Sequence, residues 1–243
     1  NLNGLLPPEI GNLEKLEELT LSSNNIHGKI PKEIGKLVSL RTMALNGNNF
    51  SGSLPPEIVK LNNMEWLYLS SNQFTGNIPE GFGKITTFKY LNLSNNQFSG
   101  PIPSGLGDLE KLQYLNLAQN QLTGNIPPEL GELNIYRLNL EFNHLTGIIP
   151  EELGNLTKLV HLNLESNQIK GEIPVSIGNL KRLKKLELHN NQLSGKLPEI
   201  VSGWEVLEEL DLSNNKFNGL IPVNLGKQKN LKSLNLSFNY LGG

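Results

Sequence analysis

Cysteine is absent from this chain, which excludes thiol catalysis, cysteine-ligated metal sites and disulfide bonds together. Long apolar runs are also absent, whereas a membrane-spanning helix needs about 20 consecutive apolar residues. An excess of charge is missing as well, because 21 Lys and Arg nearly balance 23 Asp and Glu, for a formal net charge of −2. This balance provides no basic surface for nucleic acid or an anionic membrane, so we expect neither as a partner.

The chain does contain a regular internal repeat. Equivalent asparagines recur every 24 residues from Asn24 to Asn239, apart from one interval of 23 between Asn120 and Asn143. The shorter unit reads LGELNIYRL where the unit before it reads LGDLEKLQYL. A period of this length is typical of a solenoid, so we predict a single domain over 1–243 with about ten repeats of 24 residues.

The spacing within the unit LxxLxLxxN-x-L-x-G-x-I-P predicts its local structure. The two leucines of L-x-L lie on one side of a strand, so both point inward. Strands of successive turns then pair into a parallel sheet, and the asparagine after each strand satisfies backbone groups where the chain bends. Because one turn cannot bury its own apolar side, stability comes from stacking.

The stretches LTGNIPPELGELN and FSGPIPSGLGDLEKL resemble the plant-type leucine-rich repeat class, and the resemblance covers essentially the whole chain. It implies an α/β repeat solenoid: a right-handed horseshoe or superhelix with a parallel concave β-sheet, short convex strands and 3-10 or helical turns. The class includes receptor-kinase ectodomains, receptor-like proteins, secreted inhibitors of pectin-degrading enzymes and a few antifreeze proteins. Its members usually carry cysteine-bearing caps. Because this chain has no cysteine, we expect the domain to be uncapped at both ends.

The period separates core aromatics from surface aromatics. Phe50, Phe74, Phe98 and Phe217 take the inward leucine position after the repeated asparagine, which predicts a phenylalanine stripe in the core and no cofactor role. The outward strand positions, in contrast, place Trp66 and three tyrosines on neighbouring rungs roughly 4.8 Å apart. Tyr, Trp and Arg are enriched at binding hot spots, although strand propensity also places aromatics on exposed sheets.

The outward positions therefore predict a ligand-binding surface on the concave sheet. An aromatic patch with Tyr136 at its edge would continue into a basic stretch along the same column. The predicted ligand-binding residues are Trp66, Tyr68, Tyr90, Tyr114, Arg137, Glu141, His161, Glu165 and Lys185.

Other surface patterns allow two interpretations each. Glu141, Glu165 and His189 share a column and could converge on a cation, but solvated surface charge is the preferred interpretation, so no metal is predicted. The pairs of charges at 184–185 and 208–209 predict ordinary pairing between adjacent rungs, with the anchoring of a ligand carboxylate as the alternative. A column of outward asparagines offers a regular polar array for ice, or simply fills the repeat; its members are Asn92, Asn116, Asn139 and Asn163.

Glycosylation motifs of the type N-x-S/T occur at Asn49, Asn92, Asn155 and Asn235. Such short motifs arise by chance in a chain rich in asparagine and serine, so they do not establish secretion. If the protein is secreted, we predict glycans at Asn49 and Asn155, which lie away from the concave sheet. A glycan at Asn92 would sit against the aromatic patch.

No set of serine, histidine and acid converges by rung geometry, and every glycine belongs to the repeat, so we predict that the protein is not an enzyme. The resemblance favours an extracellular or cell-surface receptor-type segment that binds a protein or peptide on its concave face, with a co-receptor or self-association through open ends as further contacts. The alternatives are a secreted inhibitor of a hydrolase such as a pectinase, a self-assembling structural array, and an ice-binding protein.

Overall fold

The computed structural model describes residues 1–198 and 204–242. In this part of the chain, each turn adds one short strand to a ten-stranded parallel sheet, which we name the main sheet. Its strands are β2 (Glu18–Thr20), β4 (Thr42–Ala44), β6 (Trp66–Tyr68), β8 (Tyr90–Asn92), β10 (Tyr114–Asn116), β12 (Arg137–Asn139), β14 (His161–Asn163), β16 (Lys185–Glu187), β18 (Glu209–Asp211) and β20 (Ser233–Asn235).

A second strand in each turn builds two further parallel sheets, which we name the outer sheets. The first contains β1 (Asn3–Leu5), β3 (Asn25–Gly28), β5 (Asn49–Gly52), β7 (Gln73–Asn77), β9 (Gln97–Pro101), β11 (Gln121–Asn125) and β13 (His144–Thr146). The second contains β15 (Lys170–Gly171), β17 (Gln192–Lys196), β19 (Lys216–Leu220) and β21 (Tyr240–Gly242). The break between the two outer sheets lies just after the shortened repeat. One backbone hydrogen bond still spans this break, from the amide of Lys170 to the carbonyl of Gly147 at 2.8 Å.

Short 3-10 helices complete the turns. Pro31 shows how they begin, since its extended backbone (φ −67°, ψ 147°) precedes the helix and its carbonyl accepts the first helical bond from Ile34 at 3.0 Å. The described helices are Pro8–Asn12, Lys32–Lys36, Pro56–Lys60, Glu80–Lys84, Ser104–Asp108, Pro128–Glu132, Glu151–Asn155, Val175–Asn179 and Val223–Lys227. None of these has the length and apolar character that crossing a bilayer requires.

The core runs along the solenoid between the sheets and the helices. Phe74 stacks between Phe50 and Phe98, with 6.0 Å between ring centroids on each side, and all three are fully buried. Phe217 is fully buried as well, so the predicted phenylalanine stripe is confirmed. Trp204 also packs inside and donates its indole N–H to the carbonyl of Ile177 at 3.0 Å.

The repeated asparagines form the predicted ladder of side-chain hydrogen bonds. The amide of Asn120 contacts the carbonyls of Leu93, Leu117 and Ala118, each at 3.1 Å. Its Oδ1 accepts from the backbone amide of Phe98 at 2.9 Å, so one side chain ties two turns together. The predicted α/β repeat solenoid is thereby confirmed in the described residues, while 199–203 and 243 of the predicted domain lie outside them.

On the helical side, the separation of two turns depends on small residues. A Cβ added to Gly107 would lie 2.4 Å from the carbonyl oxygen of Glu129 in the next turn, so only glycine allows this approach. The third turn has Val59 at the equivalent position, and the facing residue there is Gly81. A Cβ on Gly81 would lie 2.7 Å from Val59 Cγ1. The glycine at 81 therefore provides the space that the valine at 59 occupies.

Candidate ligand-binding face of the main sheet

The outward side chains of the main sheet line up in columns because adjacent strands pair without a stagger. Trp66 pairs with Tyr90, Tyr90 with Tyr114, and Tyr114 with Arg137. The same column continues from Arg137 to His161 and then across β16. The predicted site residues of this column therefore lie side by side on the six strands from β6 to β16.

Three tyrosines of the predicted site contact one another through their rings, and we name them the tyrosine stack: Tyr68, Tyr90 and Tyr114. Tyr68 and Tyr90 have ring centroids 4.7 Å apart, and Tyr90 and Tyr114 are parallel within 2° at 4.1 Å. Burial raises the pKa of Tyr90, and the neighbouring Tyr114 hydroxyl adds to this effect. Burial also raises the pKa of Tyr68, so both hydroxyls stay neutral at physiological pH and can donate as well as accept.

Trp66 takes part in a different contact. The ammonium of Lys89 lies 4.9 Å from the Trp66 ring centroid, a cation–π geometry, and the same ammonium pairs with Glu65. Among the described residues no other aromatic ring contacts Trp66. Tyr136 is 43% exposed at the edge of the sheet and likewise stands apart from the stack. The predicted aromatic patch is therefore in ring contact only within the tyrosine stack, and Trp66 and Tyr136 lie beside it.

The predicted basic residues share one column, but two of the three are paired with acids on the next strand. His161 Nε2 lies 2.5 Å from Glu187 Oε2, and Lys185 Nζ lies 2.7 Å from Glu209 Oε2. Arg137 is exposed and makes no hydrogen bond or ion pair to a described residue. It remains the one unpaired cation that follows the tyrosine stack in this part of the column.

The pairing predicted between the charges at 184–185 and 208–209 is present. Lys184 Nζ lies 3.0 Å from Glu208 Oε1, and Lys232 binds Glu208 from the opposite side at 2.6 Å. These two ammonium groups hold the pKa of Glu208 at about 2. The two lysines are exposed and Glu208 is half-buried, and none of these three residues belongs to the predicted site.

Beyond Arg137, acids and histidines of neighbouring turns form a group that we name the acid–histidine network: Glu141, His161, Glu165, Glu187, His189 and Asp211. His189 Nε2 lies 3.2 Å from Glu165 Oε2, and its Nδ1 lies 3.7 Å from Asp211 Oδ2. The sequence reasoning placed Glu165 beside His189 but missed Glu187 and Asp211. Both are the last residue of their strand, so the signal lay in diagonal neighbours between columns rather than within one column.

Burial shifts the pKa values of two acids in this network. It raises the pKa of Glu141, and it raises the pKa of Glu165 against the opposing effect of His189. The hydrogen bond from His161 instead lowers the pKa of Glu187. Because the Glu165 side chain is only 12% exposed, the interpretation of these acids as solvated surface charges is wrong.

Four polar side-chain atoms in or next to the network are buried without a hydrogen-bond partner. They are Asn139 Oδ1, Glu141 Oε2, His161 Nδ1 and His189 Nδ1, and they are the buried unpartnered side-chain atoms of the chain as described. Asn139 joins the network by donating from Nδ2 to Glu141 Oε1 at 3.2 Å. Within 1–198 and 204–242, no three His, Asp or Glu side chains are arranged to hold a metal ion.

The predicted glycosylation sites lie away from this face. Asn49 begins β5 and Asn155 ends a 3-10 helix, and both side chains are exposed. Asn92 stands on β8 beside the tyrosine stack, where its Oδ1 accepts from the hydroxyl of Ser94 at 2.7 Å. Glycans at Asn49 and Asn155 stay a prediction, and they would leave the main sheet open.

Comparison with known families accounts for nearly the whole chain. Residues 5–121 match the leucine-rich repeat region family, and 111–133, 134–193 and 181–241 match two further leucine-rich repeat families. The chain belongs to the leucine-rich repeat family. Comparison with curated protein sequences gives no match.

Solved structures similar to this leucine-rich repeat chain include plant receptors. A TDR receptor is 34% identical, with a TM-score of 0.95 over 99% of this chain and 42% of its own. The Arabidopsis receptor kinase HAESA, in complex with the peptide hormone IDA and the co-receptor SERK1, is 34% identical, with a TM-score of 0.94 over 99% of this chain and 41% of its own. The chain thus spans about two fifths of the length of these receptor chains.

A plant ice-binding protein is also similar, at 31% identity and a TM-score of 0.83, over 93% of this chain and 73% of its own. The fold is therefore shared by proteins that do different things, so the function must be argued from the surface.

Proposed function

We propose that this leucine-rich repeat domain binds a peptide or protein on the open face of its main sheet, as part of an extracellular or cell-surface receptor-type ectodomain. The tyrosine stack is the observation that carries the proposal. Three half-buried rings stand in contact on the outward side of strands where the repeat requires no aromatic residue. The similar HAESA structure contains a peptide hormone, which supports a ligand of the same class here.

The chemistry of the face suits a peptide chain. Tyrosine offers a large apolar ring with a polar end at low entropic cost, which is why it is enriched among hot spots. A ligand that crosses the strands would meet the tyrosine stack, then the unpaired guanidinium of Arg137, and then the acid–histidine network. This sequence of apolar, cationic and anionic surfaces provides selectivity for both side chains and charge.

We propose binding rather than catalysis for the same face. Ser213 lies beside Asp211, which in turn contacts His189, but its hydroxyl is buried and donates to Asp211 Oδ1 at 2.6 Å. A serine nucleophile instead needs a hydrogen bond to a histidine that acts as its base. The Ser213 hydroxyl is therefore arranged to hold Asp211, not to attack a substrate.

The proposal is tested by selecting ligands from a random peptide library displayed on phage and measuring their affinity for variants. We expect the double substitution of Tyr90→Ala and Tyr114→Ala to weaken binding at least tenfold, since each hot-spot side chain contributes about 2 kcal/mol or more. Tyr136→Ala is the matched control, because this exposed tyrosine is outside the stack. Equal affinity of the double variant and the wild type would overturn the proposal, and selective capture of a pectinase instead would favour the hydrolase-inhibitor alternative.

Ice binding is a second candidate, and the first outer sheet is the observation that favours it. Its strands β5, β7, β9 and β11 contain amide and hydroxyl side chains and no charged residue, which gives a regular uncharged polar surface. The asparagine column of the main sheet is less suitable, since Asn139 and Asn163 are buried. Thermal hysteresis that disappears on Thr75→Lys and Thr123→Lys would support this candidate, and no hysteresis in the wild type would exclude it.

A further inference from the structure

The unpartnered atoms of the acid–histidine network point to a missing ligand group. We infer that this network is a subsite for a guanidinium, the side chain of an arginine in the bound peptide. The inference rests on the proposed function, because it places that peptide on the open face of the main sheet. It adds what the peptide must contain and where.

The first step is the imbalance of donors and acceptors around Asn139. This side chain is only 9% exposed, and it points into the network because its Nδ2 donates to Glu141 Oε1 at 3.2 Å. The same contact leaves two acceptors, Asn139 Oδ1 and Glu141 Oε2, without a donor. Buried polar atoms are nearly always hydrogen-bonded in proteins, so two neighbouring orphans indicate a site that a further group completes.

The second step is the charge. Four carboxylates, at Glu141, Glu165, Glu187 and Asp211, share the network with two imidazoles. Four carboxylates against two imidazoles give the network an excess of acid groups, and burial raises the pKa of Glu141 and Glu165. Arg137 on the same strand makes no ion pair with it. The missing group is therefore a cation.

The third step is the kind of cation. The two orphan oxygens belong to residues two positions apart on β12 and its continuation, which project from the same side of the sheet. A guanidinium presents five N–H donors in a planar fork, which suits a site with more than one free acceptor, whereas an ammonium is a point charge. A metal ion would need three converging ligands, and the described residues provide no such group.

The fourth step is the position within the ligand. Asn116 of β10 pairs directly with Asn139 of β12, so the tyrosine stack ends one strand before the subsite. Crossing one to two strands covers roughly 5–10 Å, which an extended peptide spans in about two or three residues. The ligand should therefore carry its arginine two or three residues from the side chain that contacts Tyr114.

The direct test uses N-acetylarginine methylamide as the probe, with the neutral isostere N-acetylcitrulline methylamide as the control. Titrated into ¹⁵N-labelled protein, the arginine probe should shift the side-chain amide signal of Asn139 and the ring signals of His161 and His189, whereas the citrulline probe should not. Glu141→Gln and Glu165→Gln should each weaken the arginine response at least tenfold. An equal response to both probes, or an unchanged affinity in both variants, would overturn the inference.

The peptide library separates this inference from the proposed function. Peptides selected on the wild type should be enriched in arginine at one position, and selection on Glu141→Gln should lose that enrichment while binding still depends on Tyr90. Tyrosine-dependent peptides without enriched arginine would refute the guanidinium subsite and leave the proposed function standing. Binding of the arginine probe, together with peptides whose binding is insensitive to Tyr90→Ala, would support the guanidinium subsite and refute the proposed role of the tyrosine stack.

Discussion

Replacing Asn120 with alanine tests whether the asparagine ladder holds the turns together. The Asn120 side chain is buried, contacts three backbone carbonyls in two turns and accepts from the amide of Phe98. Alanine cannot replace any of these contacts, and water does not reach the buried groups they leave behind. The variant should therefore fold into the same solenoid with much lower stability.

The magnitude follows from the groups left without partners. The two amide hydrogens of Asn120 and its single accepted bond amount to three effective hydrogen bonds, and each buried group left unsatisfied costs about 1–3 kcal/mol. Partial relaxation of the turn lowers the sum, so we expect Asn120→Ala to reduce the free energy of unfolding by about 3–5 kcal/mol. Asn120→Asp should cost at least as much, because its carboxylate turns acceptors toward the three carbonyls.

Urea unfolding followed by circular dichroism measures this effect, with Asn116→Ala as the matched control. Asn116 lies in the same turn but faces outward. Its Oδ1 accepts a hydrogen bond from the backbone amide of Ala118 at 3.0 Å, and its Nδ2 donates to the Tyr114 hydroxyl at 3.1 Å. Its loss should cost about 1 kcal/mol. If the two alanine variants were equally stable, burial of the ladder contacts would not be what holds the turns together.

Three further predictions concern the core, the helical side and the network. Phe74→Ala removes a fully buried ring stacked on both sides, so urea unfolding should show a loss of about 3–5 kcal/mol. Gly81→Glu should lower the melting temperature through the clash with Val59, at a cost of about 1–3 kcal/mol, and adding Val59→Gly should restore it; no rescue would refute this packing. Burial holds the pKa of Glu141 above 4.5, so the folded protein binds more protons than the unfolded chain just above that pH, and ionisation destabilises the fold. Glu141→Gln should thus match the wild type in unfolding experiments well below pH 4.5 and become the more stable of the two as pH rises, whereas a loss of stability at neutral pH would show that the carboxylate is structural.

Much of the candidate site could be predicted from the sequence because the repeat has a constant length. Equivalent residues of successive turns become neighbours in the sheet, so Tyr90 had to lie between Trp66 and Tyr114. The exception is informative, since Trp66 stands in register with Tyr90 and yet its ring contacts Lys89 instead. Strand register determines the distance between backbones, whereas the side-chain rotamer of each residue determines which group its ring contacts.

The sequence by itself determined the solenoid, the inward phenylalanines, the ladder of asparagines and the columns of the main sheet. All of these follow from strand alternation and the repeat period, which involve only the backbone. The tertiary structure alone decided that His161 binds Glu187 diagonally, that Arg137 remains unpaired, and that Asn139 is buried with an unsatisfied oxygen. These outcomes depend on the size, charge and rotamers of all the surrounding side chains at once, and no single column of the sequence contains them.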